Sequence, residues 1–210
     1  MPSHAASGIR TVAIAAIAAV RRPVRTDDPF ADVQAATRLH RRRHRCGAFA
    51  YGDGSLPATV AAATGARRIV EVGTALGYTA LSMAATVPGA RVDTIEADDQ
   101  HVRLARATIA GHGPASRVTV MPGRAEEVLP TLAEAEYDLA FFDGFAPTLS
   151  VVRGLHRLLR PGGSLIVGNL ILGPERAAAD HLGSARLWQT HVFGETALCV
   201  KRAAPEGEAA

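Results

Sequence analysis

Residues 68–78, which read RIVEVGTALGY, carry the pattern that decides the fold. The first five are rich in β-branched side chains and predict a strand, after which Gly73 and Gly77 permit a tight turn into a helix. The free backbone N–H groups at the start of such a helix are suited to binding a ligand. A strand, a glycine turn and a helix in this order predict a parallel sheet covered by helices.

The same alternation continues toward the C-terminus. Further strands are predicted at 92–96, 118–121, Tyr137–Phe142 and 164–168, and Asp98 is a suitable N-cap for the helix after the second strand. Residues 187–193 and Thr196–Lys201 are separated by two residues, which predicts an antiparallel hairpin. The expected fold is α/β: a Rossmann-like doubly wound sheet of five parallel strands plus a C-terminal antiparallel hairpin, with an N-terminal helical extension.

The length of 210 residues, 48% of them hydrophobic, suits one sizeable core rather than two ordinary domains. We expect an N-terminal helical extension over 1–50, acting as a lid or dimer contact, a main domain over 51–202, and a disordered tail over 203–210. Residues 9–20 are apolar and alanine-rich, but the run is short of the roughly 20 residues of a membrane span. Its helical spacing favours an amphipathic helix over an export signal.

Cysteine content and net charge limit the cellular compartment and the classes of ligand that we expect. Cys46 and Cys199 are far apart and lie in no CxxC or Cys/His ligand spacing, so neither a disulfide framework nor a zinc site is indicated, and a reducing cytoplasm is favoured. The net charge of +3 is too small to argue for nucleic acid. The arginine-rich run at 38–45 could contact phosphates, but a solvated helix face or connector is favoured.

Acidic residues mark the ends of the first two strands. In a doubly wound sheet the ligand lies beyond the carboxyl ends of the strands, where the strand order reverses. Glu71 on the first strand suits a cationic sulfonium and amino group better than a pyrophosphate. Glu96 ends the second strand 25 residues later, where an acidic side chain accepts hydrogen bonds from both ribose hydroxyls.

Two later loops should meet the same ligand. Residues 123–126, GRAE, lie where an adenine ring would be held, and Asp143 ends the central strand. A buried aspartate without a partner is costly, so Asp143 must meet a cation, a metal or several donors. A role as a helix cap is less favoured because Pro147 already supplies a helix start.

Five strings together resemble the catechol and caffeoyl-CoA type O-methyltransferases, which are class I methyltransferases, over residues 52–202. They are VEVGTALGYTAL (70–81), TIEAD (94–98), GRAEEVLP (123–130), YDLAFFD (137–143) and LLRPGG (158–163). The resemblance implies an S-adenosylmethionine-binding domain, with Asp143 as a catalytic residue. The implied cofactor-binding residues are Phe49, Tyr51, Glu71, Gly73, Thr74, Gly77, Tyr78, Thr79, Glu96, Ala97, Gly123, Arg124, Ala125, Asp143 and Gly144.

The chain departs from that family where a divalent metal and a general base are expected. Asp143 and Asn169 match two metal ligands, but Gly168 replaces the third and Ala146 replaces a lysine. Losing one anionic ligand weakens a magnesium site, so no metal site is assigned and metal dependence is doubtful. His40 or His44 could replace the base, although a structural or solvated role is favoured for any single histidine.

The leading hypothesis is transfer of a methyl group from S-adenosylmethionine to a hydroxyl oxygen of a small molecule, for which a phenol is one candidate, by a cytoplasmic enzyme that could form a homodimer. The departures also allow a catalytically decayed cofactor-binding protein that acts through dimerisation or regulation. A nucleic-acid methyltransferase is less favoured because Asp143-Gly144-Phe145-Ala146 lacks the usual proline-containing tetrapeptide. The turn also lacks the G-x-G-x-x-G pattern of dehydrogenases, and no membrane partner is expected.

Overall fold

The computed structural model describes residues 27–52 and 54–203. Two helices, α1 (Ala31–His44) and α2 (Ser55–Thr64), precede the sheet. The predicted helix over 9–20, most of the predicted N-terminal extension and most of the predicted tail lie outside the described residues. No helix in the described ranges is long and apolar enough to cross a membrane.

The strands and the remaining helices alternate as the sequence predicts. They are β1 (Arg68–Val72), α3 (Tyr78–Thr86), β2 (Arg91–Glu96), α4 (Asp99–Ala110), β3 (Val118–Pro122), α5 (Ala125–Val128), β4 (Tyr137–Phe142), α6 (Leu149–Leu158), β5 (Leu159–Val167), α7 (Arg176–Leu182), β6 (Trp188–Phe193) and β7 (Thr196–Lys201). Asp98 caps α4 as expected, because its side chain accepts hydrogen bonds from the N–H groups of Gln100 and His101.

The sheet has seven strands in the order β3-β2-β1-β4-β5-β7-β6. The first five are parallel, and the hairpin β6–β7 joins through an antiparallel pairing of β5 with β7. This confirms the predicted Rossmann-like α/β fold. The chain builds outward from β1 to β3 and then returns to start β4 on the other side of β1, so the strand order reverses between β1 and β4.

Alternation along the central strands gives the sheet two buried faces. Val70 and Phe142 pack in one cluster with α6 and α7, whereas Ile69 and Phe141 pack in another with α2 and α3. Side chains of a strand point to opposite faces in turn, so a strand covered on both sides reads as a continuous apolar run. In the amphipathic helix α6 the buried residues recur at helical spacing: they are Val151, Val152, Leu155 and Leu158.

The fifth strand begins earlier than predicted. Leu159 already pairs with Tyr137, and the register then shifts so that Leu139 pairs with Ser164. The Pro-Gly-Gly segment therefore bulges from the strand rather than separating it from α6. The carboxylate of Asp138 fastens this bulge by accepting from Arg160 Nε at 2.5 Å and from the N–H groups of Arg67 and Arg68 at 2.8 and 2.9 Å.

The start of α6 also differs from the prediction. Thr148, not Pro147, lies at the N-cap, and its hydroxyl accepts from the N–H of Val151 at 3.4 Å. A threonine hydroxyl satisfies one of the free donors at a helix start, which proline cannot do. Asp143 takes no part in this cap.

Candidate functional site

A cavity of about 840 Å³ opens at the carboxyl ends of β1 and β4, where the strand order reverses. This volume lies within the range of small-molecule sites. Its wall combines the loops after β1 to β5 with the segment before α2 and a residue of the hairpin turn. The lining residues are Gly47, Phe49, Ala50, Tyr51, Gly52, Val72, Gly73, Ala75, Ile95, Glu96, Ala97, His101, Gly123, Ala125, Asp143, Gly144, Phe145, Asn169, Ile171, Leu172 and Glu195.

Gly73 lets the loops after β1 and β4 touch. It has a φ of +98°, and a Cβ atom there would lie 2.8 Å from the carbonyl oxygen of Asp143. Both the left-handed backbone and the close approach require glycine. The turn after β1 therefore brings the two central loops together in the cavity wall.

Glu96 is held rigidly at the cavity wall. Its Oε2 accepts from the N–H of Ala75 at 2.9 Å, and its Oε1 accepts from the N–H of Asp98 at 3.0 Å. An ionised carboxylate has about four acceptor positions, so each oxygen keeps capacity for another donor. Nδ1 of His101 lies 3.8 Å from Oε1.

Glu71 lies behind the cavity and is fully buried. Its carboxylate accepts hydrogen bonds from the hydroxyls of Thr79 and Thr94. Burial raises the pKa of Glu71 to about 7, and the nearby charge of Glu96 adds to this, whereas the two hydroxyls oppose it. The carboxyl is thus poised to change its charge near neutral pH.

Asp143 lies on the cavity wall at the end of β4. Asn169 Nδ2 donates to its Oδ1 at 3.0 Å and to the carbonyl of Gly144 at 3.1 Å. Burial raises the pKa of Asp143 well above its usual range, and the charges of Glu71 and Glu195 act in the same direction. Neither Asp143 nor Glu71 forms an ion pair with any described Arg, Lys or His. The site therefore has buried acidic groups that a bound cation would stabilise in their charged form.

The structure brings nine of the predicted binding residues together in this one wall. They are Phe49, Tyr51, Gly73, Glu96, Ala97, Gly123, Ala125, Asp143 and Gly144. The other six lie outside it: Glu71, Thr74, Gly77, Tyr78, Thr79 and Arg124.

Hydrogen bonds and packing within the fold account for most of those six positions. Thr74 shares a hydrogen bond with Thr94 at 2.6 Å, and Gly77 packs so closely on Ile109 that a Cβ atom there would lie 2.8 Å from it. Arg124 is exposed and lies 3.8 Å from Glu126. Thr74 and Gly77 thus pack within the fold behind the wall, whereas Arg124 faces solvent.

Tyr78 points to a different, smaller cavity of about 310 Å³. Its hydroxyl donates to Asp28 Oδ2 at 2.6 Å and accepts from the N–H of Gly54 at 3.3 Å. Tyr78 is the first residue of α3, and its side chain faces the N-terminal segment that contains Asp28. Tyr78, which the resemblance names as a cofactor-binding residue, therefore lines this smaller cavity and not the larger one.

Several lining residues were not singled out from the sequence. His101 lies on the first turn of α4, five residues after Glu96, and its backbone N–H donates to the capping Asp98. Phe145 and Ile171 are 75% and 78% exposed. Large exposed apolar groups beside a cavity are a signal of binding, but exposure cannot be predicted from a short loop sequence.

The positions of the expected metal ligands and base differ from the family pattern. Gly168 lies against the ring of Tyr51, since a Cβ atom there would be 3.1 Å from Cε2. Asn169 directs an N–H, not an oxygen, at Asp143. His40 and His44, named as substitute bases, are not in the cavity wall, whereas His101 is.

Residues 70–170 match a family model described as a methyltransferase domain. These residues form a methyltransferase domain. A curated relative from Mycobacterium sp. (strain JLS) is 41% identical over 135 residues, which are 60% of this chain and 59% of the relative. Catechol O-methyltransferase of Mycobacterium tuberculosis (strain ATCC 25618 / H37Rv) is 35% identical over 143 residues, which are 65% of each. The chain thus spans about three fifths of the first of these relatives.

Solved structures resemble this chain over most of its length. The O-methyltransferase TomG from Streptomyces achromogenes, solved in complex with SAM, has a TM-score of 0.69 at 25% identity, covering 86% of this chain and 92% of that one. An O-methyltransferase from Bacillus cereus, solved with SAH, has a TM-score of 0.68 at 20% identity, covering 90% and 97%. The second likeness concerns the fold alone.

Proposed function

We propose that the protein transfers a methyl group from S-adenosylmethionine to a hydroxyl oxygen of a small molecule. The observation that carries the proposal is the pair of buried carboxyls, Glu71 and Asp143, at the reversal point of the sheet with no described cation beside them. A ligand with a positively charged sulfur and an ammonium group would supply the missing charge. The complex of the similar O-methyltransferase TomG with SAM supports the same cofactor.

The residues of the wall fit the parts of such a cofactor. Glu96 keeps acceptor positions for two ribose hydroxyls, and Gly123 and Ala125 form a small-residue corner for an adenine ring. Gly73 and Asp143 lie next to each other in the wall, where the charged end would rest. When bound, S-adenosylmethionine supplies an electrophilic methyl group.

The rest of the cavity suits a hydroxylated, partly apolar acceptor. Phe49, Phe145, Ile171 and Leu172 line it, and such side chains exclude water from the reacting groups. An Oδ atom of Asp143, whose pKa is raised, is the group that we assign to hold the proton of the acceptor hydroxyl. Positioning two reactants lowers the reaction barrier by roughly 7–11 kcal/mol. A general base raises the rate by about 10²–10⁴-fold, which corresponds to a smaller lowering of the barrier. Alignment in this wall is therefore the larger effect.

Calorimetry with S-adenosylmethionine tests the proposal. We expect one site per chain and a roughly 10–100-fold weaker affinity for Glu96→Gln, because hydrogen bonds to a charged group contribute about 1.5–3 kcal/mol. Glu134→Gln is the matched control, since Glu134 is exposed and outside the cavity wall. Absence of heat at millimolar cofactor, or equal affinity of both variants and the wild type, would contradict the proposal.

The acceptor class is tested by turnover. Incubation with a panel of catechols and monophenols, followed by mass spectrometry, should show a product heavier by one methylene. Asp143→Asn should lower turnover by about 10²–10⁴-fold while Glu134→Gln leaves it unchanged. Methylation of RNA instead, with a salt-sensitive shift in a gel, would favour a nucleic-acid substrate.

Cytoplasmic location and homodimer formation remain parts of the proposal. Both cysteines are free thiols, which favours a reducing compartment. Val192 and Phe193 are exposed on β6, the last strand of the sheet order, and such an apolar edge favours pairing with a second copy. Light scattering of the purified chain at micromolar concentration measures the oligomeric state directly.

A further inference from the structure

Three side chains from separate segments meet beside the cavity. His40 is on the last turns of α1, Cys46 is in the loop that follows, and His101 is on the first turn of α4. One ligand atom from each lies within 4.8 Å of the others. Among the described residues this is the one group of three or more His, Cys, Asp or Glu side chains with that property.

His40 has an unsatisfied nitrogen at this point. Its Nε2 is buried and has no hydrogen-bond partner, and no other buried side-chain N or O atom of the described residues lacks one. Leaving such a group without a partner in the interior is costly, so an unmatched buried nitrogen suggests a missing ligand.

The backbone holds the three side chains in place. Arg45 ends α1 in the left-handed conformation at a φ of 52°, and its N–H donates to the carbonyl of Arg41 at 2.8 Å. This reversal carries Cys46 back toward His40. The N–H of His101 donates to Asp98 at 3.0 Å, and His101 is 5% exposed, so α4 presents it from a rigid cap.

We propose that His40, Cys46 and His101 bind one zinc-class transition-metal ion. A thiolate with two imidazoles suits Zn²⁺ and disfavours Mg²⁺ and Ca²⁺, which prefer oxygen ligands. Tetrahedral zinc with ligands at about 2.0–2.3 Å requires donor atoms about 3.3–3.8 Å apart, so the side chains need to close by about 1 Å. Three protein ligands leave a fourth position for water. The site shares no residue with Asp143 and Asn169, and its existence does not depend on the proposed methyl transfer.

The bound ion fastens the segment before α2 to the main domain. Cys46 directly precedes Gly47, where the cavity-lining segment begins, and His101 is itself a lining residue. Four arginines, Arg41, Arg42, Arg43 and Arg45, lie between the two N-terminal ligands and are exposed. Trypsin cleavage at this run therefore reports whether the segment is fastened.

Metal content and affinity are measured on the full chain with Zn²⁺. We expect one zinc per chain after gel filtration, and about 100-fold weaker zinc binding, by competition with a chromophoric chelator, in each of His40→Gln, Cys46→Ser and His101→Gln. His191→Gln, an exposed histidine on β6, is the matched control and should bind as the wild type does. Substitution with Co²⁺ should give a thiolate-to-cobalt absorption band that Cys46→Ser removes.

The trypsin assay separates loss of the metal from loss of the fold. Zn²⁺ should slow cleavage at the arginine run in the wild type and in His191→Gln but not in Cys46→Ser, while circular dichroism shows all three equally folded. Less than stoichiometric zinc in the wild type overturns the proposal. So does a cobalt spectrum unchanged by Cys46→Ser, or zinc protection that persists in that variant.

Discussion

At the scale of single residues, this site is built around acidic groups whose ordinary charge is suppressed. Glu71 is fully buried with two threonine hydroxyls, and Asp143 has one amide donor from Asn169. The fold therefore opposes the charged carboxylates at neutral pH in the absence of a cation. This has a measurable consequence for stability.

Stability should fall as the pH rises through the range where Glu71 titrates. In the unfolded chain Glu71 loses its proton near pH 4.5, whereas in the folded chain its pKa is about 7. Between those values the folded state binds more protons, so the free energy of unfolding decreases with pH, by roughly 3 kcal/mol at most. Urea titrations from pH 4 to 8 should show this decline in the wild type and a flatter profile in Glu71→Gln. Parallel profiles would contradict the assigned pKa.

Gly73 and Gly89 distinguish backbone strain from a steric clash. Both have positive φ, +98° and +79°, but a Cβ atom at Gly73 meets the carbonyl of Asp143 at 2.8 Å whereas Gly89 has nothing within 4 Å. Gly89→Ala should cost about 1 kcal/mol from strain alone, and Gly73→Ala about 2–4 kcal/mol. Gly73→Ala should also weaken cofactor binding. Chemical denaturation and calorimetry measure both, and equal costs at the two sites would refute the close approach of the loops.

At the scale of elements, local patterns predicted the strands closely, whereas they gave no bounds for α1 within the predicted helical extension and did not predict α2. The strands were predictable because strands buried on both faces are apolar throughout, and the hairpin because only two residues separate its strands. α1 is rich in arginine and α2 in alanine, and neither has a strong apolar stripe. Their positions depend on contacts with distant residues, which a local pattern does not contain.

Some residues of the candidate site were likewise predictable from the sequence, and others were not. Glu96 and Asp143 were predictable because they end strands, and the carboxyl ends of parallel strands meet. His101 was not singled out and Tyr78 lies outside the larger cavity, because one helical position decides which way a side chain faces. The proximity of Cys46 to two histidines is a tertiary contact with no regular spacing in the sequence.

The N-cap of α4 should contribute measurably to stability. Asp98 accepts from two backbone N–H groups, at 2.8 and 3.0 Å, whereas its neighbour Asp99 caps nothing. Asp98→Ala should cost about 0.5–2 kcal/mol, and Asp99→Ala a few tenths. Thermal melts of the two variants make the comparison. If Asp99→Ala were the more damaging, the cap would be assigned to the wrong residue.

At the scale of the whole molecule, residues 27–52, which include α1, pack against the main domain rather than standing apart from it. Phe30 and Val33 are buried in a cluster with α3, α4 and β3. Gln34 Nε2 donates to the carbonyl of Tyr51 at 3.0 Å, which links α1 to the cavity wall. Packing at one end of α1 is thus connected to the shape of the site.

Loosening this packing should affect the segment before it affects the sheet. Phe30→Ala removes a large buried ring and should cost about 3–5 kcal/mol, with faster hydrogen exchange in α1 than in β4. Leu39→Ala is the control, because Leu39 is 40% exposed. Uniform acceleration of exchange in all elements would show instead that the segment and the sheet unfold as one unit.

The carboxylate of Asp138 lies at the amino ends of the strands, where it joins β1 to the bulge of β5. The cavity is at the other end of the same strands. The hydrogen bonds of Asp138 and the binding loops therefore lie at opposite ends of the strands. For this reason the loops around Phe145 and Ile171 can be redesigned for a new acceptor while those hydrogen bonds stay intact.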